Sequence, residues 1–188
     1  PDEFESGFIP GALNIGLDGT YAVWVGTLID ITTPLIVVAA PGKEREAVLR
    51  LARVGYENVV GYVDGGMPQW IASGMTVDKV NSINPAEFAA DVRSGNHRKI
   101  VDVRRPGEFE SGHVEGAQLM CLTQFGNTEN FKALEPTEPI YIHCAGGYRS
   151  MIATSILKQH GFTDIINVRK GWNGIKNEDL PKVIPATA

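Results

Sequence analysis

The chain repeats itself. Pro-Asp-Glu-Phe-Glu-Ser-Gly-Phe-Ile-Pro-Gly-Ala at 1–12 returns as Pro-Gly-Glu-Phe-Glu-Ser-Gly-His-Val-Glu-Gly-Ala at 106–117, an offset of 105 residues. The same offset aligns Pro-Leu-Ile-Val-Val at 34–38 with Pro-Ile-Tyr-Ile-His at 139–143, and with one residue slipped 55–60 matches 161–166. A repeat fixes the domain count without appeal to propensity, so two copies of one unit are expected, over residues 1–75 and 76–188. With 188 residues and 43% hydrophobic content, the chain can bury one good core or two small ones, and composition alone does not separate these cases.

In the second copy short apolar runs alternate with helical patterns. Strands are predicted over 100–103, 140–143 and 164–168 and helices over 86–92 and 150–159. The first copy repeats the order, with strands over 35–38 and 58–62, a helix over 44–54 and a linker near 73–77. The fold class is therefore α/β, two tandem units that are each a parallel sheet flanked by helices. The strand holding Asp102 and Arg104 would fall upstream of Pro1 in the first copy. That copy is expected to lack its N-terminal strand and the chain to be part of a longer protein, since a sheet without an interior strand leaves backbone groups unpaired. The alternative is a degenerate unit that never had the strand.

No apolar run approaches the roughly 18 residues of a membrane helix, and no signal peptide is visible. A net charge of −5 gives no basic field for nucleic acid or anionic lipid. Two cysteines, Cys121 and Cys144, are too few for a disulfide scaffold or a four-cysteine metal site. Sulfur chemistry is thus expected from a free thiol in a reducing compartment, the cytoplasm, without metal or organic cofactor.

One loop carries that chemistry. The strand ending at His143 runs into Cys144, Ala145, Gly146, Gly147, Tyr148 and Arg149, and a helix begins near Ser150. Two glycines let the loop curl its N–H groups inward, and the helix adds its positive end. Such a cradle favours the thiolate of Cys144, the nucleophilic form, and would equally hold a persulfide. The assignment requires a sulfur reachable from solvent with amides turned toward it.

At this point the sequence resembles the rhodanese family. Asp102-Val103-Arg104, Glu108-Phe109, Gly112-His113-Val114, Gly116-Ala117 and the loop from Cys144 to Ser150 follow that family's order of motifs across nearly all of residues 82–181. The resemblance implies a sulfurtransferase in which Cys144 accepts sulfur from a small-molecule donor such as thiosulfate or a persulfide. A thiophilic acceptor, sulfite, cyanide or a thiol, then takes it. Arg149 would support the loop and attract anionic substrates. Related phosphatases place five residues between Cys and Arg, whereas four separate Cys144 from Arg149. The smaller ring suits one sulfur atom and ranks phosphatase or arsenate reductase chemistry lower. A docking or sulfur-sensing module is the other alternative.

The offset sets Ala39 opposite Cys144 and Glu44 opposite Arg149, so the first copy is expected to be inactive. The truncated start and the domain order also resemble the C-terminal part of metallo-β-lactamase-fold proteins fused to rhodanese modules. That implies an upstream iron-dependent persulfide dioxygenase as a partner domain. Among the remaining residues, Asp102 and Arg104 are expected to brace a strand end and Glu108 to pair with an arginine. His113 is expected to bond the adjacent turn or assist catalysis, and His143 to be structural. Cys121, Tyr21, Trp24 and Trp70 are read as packing or interface residues. Tyr148 stands at the lip of the loop.

Overall fold

The computed structural model describes residues 1–95 and 98–185. The first unit contains α1 (Asp2–Ser6), α2 (Tyr21–Leu28), β1 (Leu35–Val37), α3 (Glu44–Ala52), β2 (Val59–Tyr62) and α4 (Gly66–Ala72). The second begins with β3 (Asn81–Ile83), α5 (Pro85–Arg93), β4 (Lys99–Asp102), α6 (Pro106–Glu110), β5 (His113–Val114) and β6 (Gln118–Leu119). It continues with β7 (Ile140–His143), α7 (Tyr148–Gln159), β8 (Ile165–Val168), α8 (Gly171–Ile175) and β9 (Lys182–Val183). No helix among the described residues is long and apolar enough to cross a membrane.

The second unit is built on a five-stranded parallel sheet of order β3-β8-β7-β4-β6. Alternation along the strands separates two cores, as a period of two requires. Ile140 and Ile142 face Ile152, Ile156 and Leu157 of α7 on one side. Tyr141 packs with Phe88 of α5 and Ile175 of α8 on the other. Asn84 caps α5 through a reciprocal box with Glu87, with Pro85 as the first helical residue. The predicted strands and helices match to within about two residues, whereas α1, α2, α4, α6 and α8 and the short β3, β5, β6 and β9 were not anticipated.

The first unit keeps two strands, β1 and β2, paired in parallel. One face is covered by Tyr21, Val25, Ala47 and Leu51. The other is bare: Ile36, Val60 and Tyr62 are 68%, 63% and 54% exposed. Ile36 is the repeat counterpart of Tyr141, which Phe88 covers edge-on, and among the described residues no helix covers Ile36 in the same way.

The repeat persists in the backbone beyond the recognisable sequence. Phe8 forms an antiparallel bridge with Asp78, the counterpart of His113 pairing Val183. Both loops also close on a glycine. A Cβ at Gly171 would sit 2.1 Å from the Cys144 carbonyl oxygen, and one at Gly66 would sit 2.2 Å from that of Ala39. Both residues adopt positive φ, 46° and 58°, so each position needs glycine twice over.

The two units interlock. Trp24 of α2 is buried in the α7-side core of the second unit, and Phe8 packs with Val80 and Met151. Polar contacts reinforce the seam: the Asn14 amide donates to Ser155 Oγ at 2.9 Å, and Arg169 pairs with Glu5.

Candidate active site

Cys144 follows the last residue of β7, and Gly147, at φ 106°, turns the chain into α7. The loop is pinned from behind by α8, whose Trp172 and Asn173 amides donate to the carbonyls of Cys144 and Ala145 at 2.7 and 2.9 Å. From the front, the Gly147 N–H donates to Cys144 Sγ at 3.1 Å. That is one sulfur-directed amide where the sequence suggested a ring of them. The Ser150 hydroxyl lies 3.1 Å from the Gly147 oxygen and 2.8 Å from Asn167 Oδ1, tying the helix start to β8.

The cysteine is 1% exposed and packs against the α7-side core. It is not sealed in, because it lines an open cavity of about 420 Å³. Thr20, Trp24, Arg105, Glu108, Gly146, Tyr148 and Arg149 complete the walls. The residue is thus buried and at the same time borders the cavity.

Arg149 and Glu108 form a bidentate pair, Nη1 to Oε2 and Nη2 to Oε1 at 2.7 Å each. The guanidinium holds the Glu108 carboxyl down at about 2, despite the opposing effect of burial, and the carboxylate raises Arg149 in return. The predicted arginine partner of Glu108 is therefore Arg149.

Asp102 and Arg104 are buried beneath the site as an ion pair. Arg104 Nε bonds both Asp102 oxygens, Nη2 adds Oδ2 at 2.6 Å and the Gly112 carbonyl at 2.7 Å, and the guanidinium stacks over Trp172. This chain of contacts links the end of β4 to the helix that holds the Cys144 carbonyl. His113 stacks on Phe109 and its Nδ1 meets the Phe109 carbonyl at 2.9 Å, as the turn-bonding reading expected. His143 is fully buried, with Nδ1 3.2 Å from the Cys144 carbonyl oxygen, and burial lowers its pKa, keeping the ring neutral. Cys121 is buried, with Sγ 3.2 Å from Thr123 Oγ1.

Tyr148 does more than stand at the lip. Its hydroxyl donates to the Gly16 carbonyl of the first unit at 3.0 Å, and a Cβ at Gly16 would lie 3.1 Å from the ring. Sequence reasoning missed Thr20, Trp24 and Arg105 as cavity walls.

The comparisons with known proteins agree with this geometry. The family model described as Rhodanese-like domain matches residues 1–73 and 84–178. The chain is 33% identical over 98 residues, 50% of this chain and 74% of the other, to the uncharacterized protein YqhL of Bacillus subtilis. It is 30% identical over 127 residues to thiosulfate sulfurtransferase 18 of Arabidopsis thaliana, covering 61% of this chain and 92% of the relative. The crystal structure of a rhodanese-like domain protein from Staphylococcus aureus superposes with a TM-score of 0.50 at 28% identity, over 57% of this chain and 100% of that one. Two matched segments, an interlocked α/β architecture and a cysteine-headed loop on a strand-to-helix turn lead to one conclusion: the chain belongs to the rhodanese-like domain family.

Proposed function

We propose that this protein is a sulfurtransferase that moves sulfane sulfur from thiosulfate or a low-molecular-weight persulfide through Cys144 to a thiophilic acceptor. The observation that carries the reading is the Gly147 N–H donating to Cys144 Sγ at the head of α7, with Cys144 among the residues that line an open cavity. Cys144 attacks the outer sulfur of the donor. The donor S–S bond breaks, the donor thiolate or sulfite leaves with the bonding pair, and Cys144 becomes a persulfide. An acceptor such as sulfite, cyanide or a thiol then attacks the outer sulfur and returns the Cys144 thiolate.

The other roles follow from the contacts. Arg149, held by Glu108, braces the loop, with Ala145, Gly146, Gly147, Tyr148 and Ser150 shaping it. Asp102, Arg104 and His113 support the strand ends beneath. The reading divides the chain at residues 75/76 and makes the first unit non-catalytic, since Ala39 and Glu44 stand at the positions of Cys144 and Arg149. It sets the protein in the cytoplasm, with a metallo-β-lactamase-fold persulfide dioxygenase upstream. The bare face of β1 and β2 supports a further segment packing there. The complete reading frame tests that part.

Incubation with thiosulfate or glutathione persulfide followed by intact mass and peptide mapping tests the transferase reading. One added sulfur on the peptide holding Cys144, with turnover abolished in Cys144→Ser, supports it. Turnover surviving in Cys144→Ser, or no sulfur on that peptide, rejects it.

A further inference from the structure

The cavity above Cys144 is larger than inorganic sulfur donors need. Its volume of about 420 Å³ lies within the roughly 300–1,000 Å³ of sites for small organic ligands, and a bare oxyanion would leave most of it empty. The walls differ in character. Trp24 and Thr20 come from the first unit, and Trp24 offers an aromatic surface held in place by the core it belongs to. Arg149 and Glu108 neutralise each other through their bidentate pair. That leaves Arg105.

Arg105 has no ion-pair partner among the described residues, and its side chain is exposed on the cavity wall. Its direction follows from the backbone. Residue 105 is extended, at φ −73° and ψ 154°, so neighbouring side chains diverge. Arg104 turns inward to Asp102, and Arg105 emerges at the cavity. Its own N–H donates to Glu108 Oε2 at 3.1 Å, which anchors the base of the side chain to the carboxylate that braces Arg149.

We infer that Arg105 and the Trp24–Thr20 wall form a recognition site for an organic persulfide bearing a carboxylate. The inference rests on the sulfurtransferase reading and names the carrier that it serves. The carboxylate meets the Arg105 guanidinium, the carbon skeleton lies against Trp24, and the sulfane sulfur reaches Cys144. The repeat that lacks a nucleophile thereby supplies one wall of the substrate site of the repeat that has it.

Steady-state transfer to cyanide from glutathione persulfide, from the neutral persulfide of 2-mercaptoethanol and from thiosulfate tests the site. In Arg105→Ala the ratio of kcat/KM for glutathione persulfide over the neutral persulfide falls about tenfold, mainly through KM. Arg105→Lys restores most of it, and Arg105→Glu lowers it further. Thr20→Trp, which fills the rim, lowers the ratio of either organic persulfide to thiosulfate. An unchanged ratio between the two organic persulfides in Arg105→Ala, in a protein of wild-type circular dichroism, overturns the inference while leaving the transferase reading intact. A wild-type protein that takes sulfur from none of the three donors sinks that reading itself.

Discussion

Arg149 grips both carboxylate oxygens of Glu108 across 41 positions of sequence, at 2.7 Å each, and so joins the first turn of α7 to α6. The pair sets an acid limit on the loop. Glu108 titrates near 2 in the folded chain against an ordinary 4.5, so its stabilising contribution is fully present above about 4.5 and is lost as pH falls toward 2. Glu108→Gln should remove that component. The stability gap between wild type and variant, from urea titrations across pH 2 to 7, is expected to be constant above about pH 5 and to close toward pH 2. A gap that does not change with pH would show that the pair is not the cause.

The buried Asp102–Arg104 pair makes a stronger prediction. Asp102→Asn leaves Arg104 charged and enclosed, which costs about 3–5 kcal/mol. Chemical denaturation should report that loss. Because Arg104 stacks on Trp172, whose amide holds the Cys144 carbonyl, kcat should fall as well.

Trp24→Ala opens a hole in a core that two units share. A loss of about 3–5 kcal/mol is expected, and the wild-type chain should unfold in a single transition because Trp24 of the first unit is part of the second unit's core. Separate transitions in a thermal scan would contradict the interlocked arrangement.

The paired glycines separate folding from chemistry. Gly171→Ala forces a Cβ against the Cys144 carbonyl and should cost about 2–4 kcal/mol while distorting the loop and depressing sulfur transfer. Gly66→Ala makes the equivalent clash at Ala39, so a comparable loss of stability is expected with a much smaller effect on transfer. Equal losses of turnover in both variants would mean that the loop is not shaped locally.

Much of this arrangement was legible in the sequence. The offset between 1–12 and 106–117, the apolar strand runs and the Cys144–Arg149 spacing are local patterns, and local patterns are what a reading of one sequence detects. The pairing of Glu108 with an arginine was also foreseen, though not which arginine. The walls of the cavity were not. Thr20 and Trp24 reach Cys144 only because the first unit docks on the second, and the repeat itself gives no warning, since Trp24 falls opposite Glu129. Arg105 was hidden by its neighbour: Arg104 belonged to the motif, and only the extended backbone shows that the two side chains part.

A unit with Ala39 at the position of Cys144, Gly16 beneath the Tyr148 ring and Trp24 in a neighbour's core answers to two masters. Its loop around Ala39 answers only to its own packing on Gly66, whereas on the proposed reading the residues along the seam are also constrained by the chemistry at Cys144. Loss of sulfur transfer on substitution across residues 1–73 should therefore follow distance from Cys144, while loss of stability follows burial within the unit.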